Sequence, residues 1–239
     1  MNFLVLIVQK VAPIFLVTSP LTSYADQIRN IHITKSSRGF SLDTPLIMLV
    51  ASILRCFYWI GSRFETSLLL QSLIMILVQG VLLKVALDHR STGDERVPFA
   101  GVVYPTKRPF NFWQWRPQRP YWEFLAYFFV ITAILQLFFG SSEFFVGLLG
   151  YCALGVEAGL PIPQVLANQK ARSCKGFRLS VLVSWLIGDI MKTVFFYSSD
   201  HVGMQFRLCA GIQFALDAYL GFQFWMFGNG ELAKDFEMS

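Results

Sequence analysis

Five ionisable side chains interrupt otherwise apolar stretches of this chain: Arg55, Glu157, Asp189, Lys192 and Asp217. Their types suit binding and conduction. A guanidinium and an ammonium attract a phosphate or carboxylate, while carboxylates handle an amine or a proton. Each cation lies about 13 residues into its segment, hence roughly 20 Å deep at 1.5 Å per residue. A charge at such depth costs about 2.5–3.5 kcal/mol even on the forgiving insertion scale, so each must pair, snorkel or line water. Asp189 precedes Lys192 by three residues, on the same helix face. Two readings follow: a structural ion-pair network, or a polar track across the membrane. Lys10 and Lys84, nearer the ends of their segments, read as snorkelling cations.

Arg55 and Lys192 are also related by position. They stand 137 residues apart, and so do Gln27 and Gln164. The same offset superimposes the stretch Lys35-Ser36-Ser37-Arg38-Gly39-Phe40-Ser41 on Arg172-Ser173-Cys174-Lys175-Gly176-Phe177-Arg178. Several matches at one offset mean an internal duplication. Gln27 and Gln164 offer two donors and an acceptor near the membrane boundary. They either bond a neighbouring helix end or flank a shared cavity. Pro161 and Pro163 precede Gln164, and Pro13 and Pro20 interrupt the first segment. Proline removes a backbone donor and clashes with the preceding turn, so these positions are expected to kink or hinge their helices. Pro163, next to the repeated Gln164, is the favoured hinge.

The elements that must position these groups are membrane-length helices. Hydrophobic residues make up 54% of the chain and charged residues 15%, too few to cover a soluble domain of 239 residues; the mean hydropathy is +0.51. Seven apolar segments are expected, at 3–23, 44–60, 66–87, 121–139, 144–166, 179–197 and 204–227. The first lacks a positive leader and a small-residue cleavage site, and reads as a helix rather than a signal peptide. The fold class is therefore an all-α polytopic membrane protein of seven transmembrane helices arranged 3+1+3. A three-helix repeat spans 1–88, a cytosolic loop 89–120, a linker helix 121–142, a second repeat 143–228 and a short tail 229–239. An offset of four helices returns the second repeat to the membrane in the same orientation, as parallel repeats require.

The net charge of +5 has a simple source. Basic residues crowd the connections after the first, third and fifth segments, whereas those after the second, fourth and sixth hold Arg63 and little else. By the positive-inside rule the N-terminus is lumenal and the C-terminus cytosolic. Nucleic-acid binding is not needed to explain the charge. Four cysteines show no paired spacing, the three histidines are scattered, and no phosphate-binding loop or nucleophile elbow exists. The chain is thus expected to be no enzyme, with no metal site and no cofactor. The stretch containing Trp113, Trp115 and Arg116 mixes aromatic and basic residues; it reads as an interfacial belt or as a partner or headgroup contact.

Three stretches carry a family resemblance: Ile53-Leu54-Arg55 with Trp59 and Leu70-Gln71-Ser72; Phe112-Trp113-Gln114-Trp115; and Ser184-Trp185 with Gly188-Asp189 and Lys192-Thr193. Together with Pro163-Gln164 and the duplication, they resemble the PQ-loop family. Within it they are similar to fungal-type members of the PQ-loop repeat-containing protein 1 branch. The resemblance implies a Golgi–endosome protein connected with aminophospholipid flippases and with phospholipid scrambling. Two departures stand out. The first motif reads Asp26-Gln27 instead of Pro-Gln, and Trp185 stands near the position where the lysosomal exporters carry their proton-linked aspartate. The leading expectation is an ATP-independent phospholipid scramblase whose headgroup path, a polar groove, uses Arg55, Lys192, Asp189, Glu157 and Asp217. The alternatives are a proton-coupled solute transporter working through Asp189, with Gln27 and Gln164 at its gate, and a membrane adaptor for a flippase or trafficking partner. Oligomeric state stays open.

Overall fold

The computed structural model describes residues 3–37, 40–90, 112–174, 179–199 and 202–227. Among these there are eight helices and no strand: α1 (Phe3–Thr34), α2 (Asp43–Ser62), α3 (Thr66–Asp88), α4 (Arg119–Phe139), α5 (Glu143–Ala158), α6 (Ile162–Ala171), α7 (Leu179–Ser198) and α8 (Met204–Phe227). The stretches Arg38–Gly39, 91–111, 175–178 and 228–239 lie outside the described residues. Parts of both duplicated stretches, 35–41 and 172–178, therefore fall outside them, as does the tail.

Local chemistry explains the helix limits. Pro120 stands in the first turn of α4, where its missing N–H is no loss. The Ser142 hydroxyl caps α5 by accepting from the Phe145 amide at 3.4 Å. Helix α2 ends as Arg63 turns left-handed (φ 47°), with its guanidinium 4.4 Å from the Trp59 ring centre.

Two expected segments are corrected. The first continues past residue 23 to Thr34, and Pro13 and Pro20 lie inside α1 without ending it. Its 32 residues are about 48 Å long, longer than the hydrocarbon core of about 30 Å, so the polar end carrying Gln27 extends helix beyond the apolar stretch. The fifth segment is two helices, α5 and α6, bent by 42°. The break falls at Gly159–Pro161, immediately before Ile162-Pro163, where prolines remove the donors a continuous helix would use. Helices α2, α3 and α4 are long and apolar enough to cross a membrane, and α5–α6 makes a fourth if the bent pair is one span. Polar residues dilute α8, which carries Gln205, Arg207, Gln213, Asp217 and Gln223.

The helices pack as two similar units. In the first, α3 lies between α1 and α2; in the second, α8 lies between α5–α6 and α7. Across the units, α2 packs extensively on α5, and α1 packs on α7. Helix α4 rests on α2 and turns Tyr127, Leu137 and Phe138 outward. The shared core joins Ala12 and Leu16 of α1, Tyr58 of α2, Leu149 of α5, Phe195 of α7 and Phe206 of α8. Lipid tails are as apolar as side chains, so close packing must hold helices together in a bilayer, and small residues permit it. Gly150 does so here: a Cβ at that position would come 2.8 Å from the Tyr58 ring.

Candidate functional site

The ionisable side chains singled out in the sequence converge between the units. Arg55 on α2 forms an ion pair with Glu157 on α5, with side chains 6% and 13% exposed. On α7, the Lys192 ammonium stands 3.8 Å from Asp189. Asp217 on α8, 1% exposed, brings its carboxyl to that of Asp189. Arg55, Glu157 and Lys192 line one cavity, with Gln71, Gln213 and Phe206 among their neighbours. Asp189 and Asp217 stand behind Lys192 and supply its counter-charge. Arg55 Nε, Asp189 Oδ2 and Asp217 Oδ1 are buried without hydrogen-bond partners. Such atoms can rearrange onto a ligand at little cost, because they have no bond to give up.

The cavity measures about 20 Å³, room for roughly one water. Among the described residues, the space beside the cluster is this small cavity. The Phe196 and Phe206 rings and the Arg55–Glu157 pair fill the space where a headgroup or an amino acid would have to pass. Chemically, the cluster can hold an anionic oxygen between a guanidinium and an ammonium. Its carboxylates can meet an amine, once the walls part.

Gln71 and Gln213 were missed as site residues, although Gln71 lies within the stretch that carries the family resemblance. They occupy corresponding faces of α3 and α8, the third helices of the two units, and both reach the cavity. The offset between them differs from that of Arg55 and Lys192, because the connection 199–203 is longer than 63–65. A search at one fixed offset passes over them; an amide in an apolar helix is the signal that finds them. A second glutamine pair is equally hidden. Gln223, fully buried on α8, donates to Val165 O of α6 at 3.1 Å, and Gln79, fully buried on α3, bonds the Tyr24 side chain of α1.

Gln27, Pro163 and Gln164 lie away from the cavity. Gln164 donates to the Asn168 side chain at 2.8 Å within α6, and Gln27 is half-buried on α1. No hydrogen bond joins the two glutamines among the described residues. Pro163 stands just after the α5–α6 break, in the first turn of α6.

The aromatic loop has a different place from the one expected of it. Trp113 is 2% exposed, and so is neither a residue of an interfacial belt nor a free docking surface. Its indole donates to Leu42 O at 2.7 Å, and its ring meets Tyr121 edge-on at 4.8 Å. Trp113 adopts a left-handed backbone (φ 57°), a strained conformation for a large residue, held by these contacts. Arg90 adds a bond to Trp115 O at 2.9 Å. The cluster ties the end of α3 and the starts of α2 and α4 together. Of the three loop residues, Arg116 alone is fully exposed and Trp115 is half-buried.

Comparison with known proteins fits this arrangement. The PQ loop repeat model matches residues 17–68 and 145–202, one match in each packed unit. The scramblase ANY1 of Saccharomyces cerevisiae (strain ATCC 204508 / S288c) is 28% identical over 273 aligned positions, covering 86% of this chain and 67% of that protein. Two helical units with the same internal order, each matched by the repeat model, mark an integral membrane protein that carries two PQ-loop repeats.

Proposed function

We propose that this protein is an ATP-independent phospholipid scramblase of Golgi and endosomal membranes, working alongside aminophospholipid flippases. The observation that carries the reading is its similarity to scramblase ANY1 across 86% of the chain. The buried charge cluster between the repeats supports it. Scrambling makes and breaks no covalent bond; it needs only a polar route for the headgroup while the tails stay in lipid. Arg55 and Lys192 take the phosphate, and Glu157, Asp189 and Asp217 meet an amine. The cavity has to widen for this, and the α5–α6 break beside Pro163 is the favoured hinge. In this reading the seven segments cross as 3+1+3, with the N-terminus lumenal and the C-terminus cytosolic. The test is dithionite quenching of fluorescent phospholipids in liposomes holding the pure protein, without ATP. Quenching well beyond the outer-leaflet half is expected; quenching that stops at half with folded, inserted protein overturns the reading. An Arg55→Ala/Lys192→Ala double variant that scrambles normally removes the assignment of those residues.

One observation favours a second reading. A small, one-water cavity between two repeats suits alternating access, in which a small solute is enclosed before release. Proton-coupled transport of an amino-acid-type solute would use Asp189 as the proton-linked acid. Flux insensitive to both pH and Asp189→Asn would sink it.

A further inference from the structure

A larger space than the central cavity lies away from the charge cluster. It is an open vestibule of about 310 Å³, bounded by the end of α2, the turn from α4 into α5, and Gly203 and Gln205 at the start of α8. Its polar lining is Tyr58, Ser62, Ser141, Ser142, Glu143 and Gln205. These are hydroxyls, one carboxamide and one carboxylate. Among the described residues, no lysine, arginine or histidine lines it, in keeping with the few basic residues in the connections at this end of the helices.

The cations nearest in sequence are engaged elsewhere. Arg63 stacks on Trp59, and Arg207 donates to Phe196 O at 3.0 Å and to Ser199 O at 3.2 Å. Glu143 is exposed and makes no ion pair among the described residues. Its position in the first turn of α5 suits a carboxylate. An anionic group would meet this carboxylate, with no cation among the described lining residues to offset it. A positively charged group would meet a carboxylate, several hydroxyl oxygens and an aromatic ring.

The vestibule floor leads to the charge cluster. Tyr58 packs against Phe64 and Phe206, at ring separations of 5.1 and 6.0 Å, and Phe206 also lines the central cavity. One aromatic layer therefore separates a space that holds a headgroup-sized ligand from a space that holds one water.

We infer that the vestibule is a binding station for an ammonium group, carried by a phospholipid headgroup or by a free small amine, with Glu143 as its counter-charge and Tyr58 as its floor. The lipid as carrier rests on the scramblase reading; the ammonium site does not. A zwitterionic headgroup docks there amine first, and its phosphate then reaches Arg55 and Lys192 when the aromatic layer parts.

Acyl-chain-labelled phosphatidylcholine and phosphatidylglycerol, the second lacking an amine, separate the possibilities in liposomes reconstituted with the full chain. In Glu143→Gln the ratio of phosphatidylcholine to phosphatidylglycerol scrambling is expected to fall at least threefold, and Glu143→Asp to restore it. Glu123→Gln removes a carboxylate at the other end of α4, outside the vestibule lining, so it should leave the ratio where it was. A ratio unchanged in Glu143→Gln overturns the inference, as does a ratio that falls equally in Glu123→Gln. If the wild-type protein scrambles neither lipid, the scramblase reading fails separately, and binding of radiolabelled choline to the purified protein decides the site. Binding lost in Glu143→Gln then assigns the station to a free amine; no binding, or binding indifferent to Glu143→Gln, overturns it.

Discussion

The two repeats meet along two seams, α2 on α5 and α1 on α7, which exchange places if the units are superimposed, yet they are built differently. At the first, the Arg55–Glu157 ion pair crosses from one repeat to the other. Gly61 and Gly150 let the helices approach there, against Val146 and Tyr58. At the second, the duplication offset that turns Arg55 into Lys192 turns Glu157 into Pro20, which is buried on α1. Lys192 then relies on acids of its own repeat, Asp189 beside it and Asp217 on α8. The difference decides what separation costs. Parting α2 from α5 strands two opposite charges in a nonpolar medium, whereas parting α1 from α7 leaves the Lys192 cluster whole. The α1–α7 seam is the cheaper one to open.

Arg55→Ala should break the comparison most strongly. It leaves Glu157 buried without its partner, at a cost of about 3–5 kcal/mol. Thermal unfolding in detergent would register this, and Arg55→Met/Glu157→Leu should recover most of the loss. A single variant as stable as the wild type would mean that the pair is no latch.

A disulfide reads the same seam in the opposite direction. A Cβ at Gly61 would lie 3.3 Å from that of Val146, close to what a disulfide spans. Gly61→Cys/Val146→Cys should cross-link almost fully under mild oxidation and stabilise the fold by about 2–4 kcal/mol. Persistent partial cross-linking in the membrane would show that this seam opens as well.

Gly150→Leu should cost about 1–3 kcal/mol by driving into the Tyr58 ring. Gly80→Leu on α3, where a Cβ meets nothing within 4 Å, should cost nothing measurable. Equal unfolding temperatures for the two would remove close packing from the account of the first seam. Lys192→Met is expected to cost less than Arg55→Ala, because its acid partner lies on the same helix at 3.8 Å and the lysine side chain is 20% exposed. A loss as large as that from Arg55→Ala would erase the distinction between the seams.

Much of this could be read in the chain itself. Apolar composition established a membrane protein, because too few charges remain to cover a water-exposed surface. The common offset of Arg55 with Lys192 and of Gln27 with Gln164 exposed the duplication. Pro161 and Pro163 marked the break between α5 and α6, since a missing amide donor is a local property. At Pro13 and Pro20 the helix runs on, and α1 packs along α3.

What only the tertiary structure decided is which side chains meet. Glu157 is the partner of Arg55, Gln71 and Gln213 share one cavity, Trp113 is buried under Leu42 and Tyr121, and that cavity holds about one water. Hydropathy and proline effects are written along the chain and survive in any packing. Ion pairs, burial and cavity size depend on how each helix is rotated about its axis and on which neighbour it faces, and the one-dimensional pattern leaves both free.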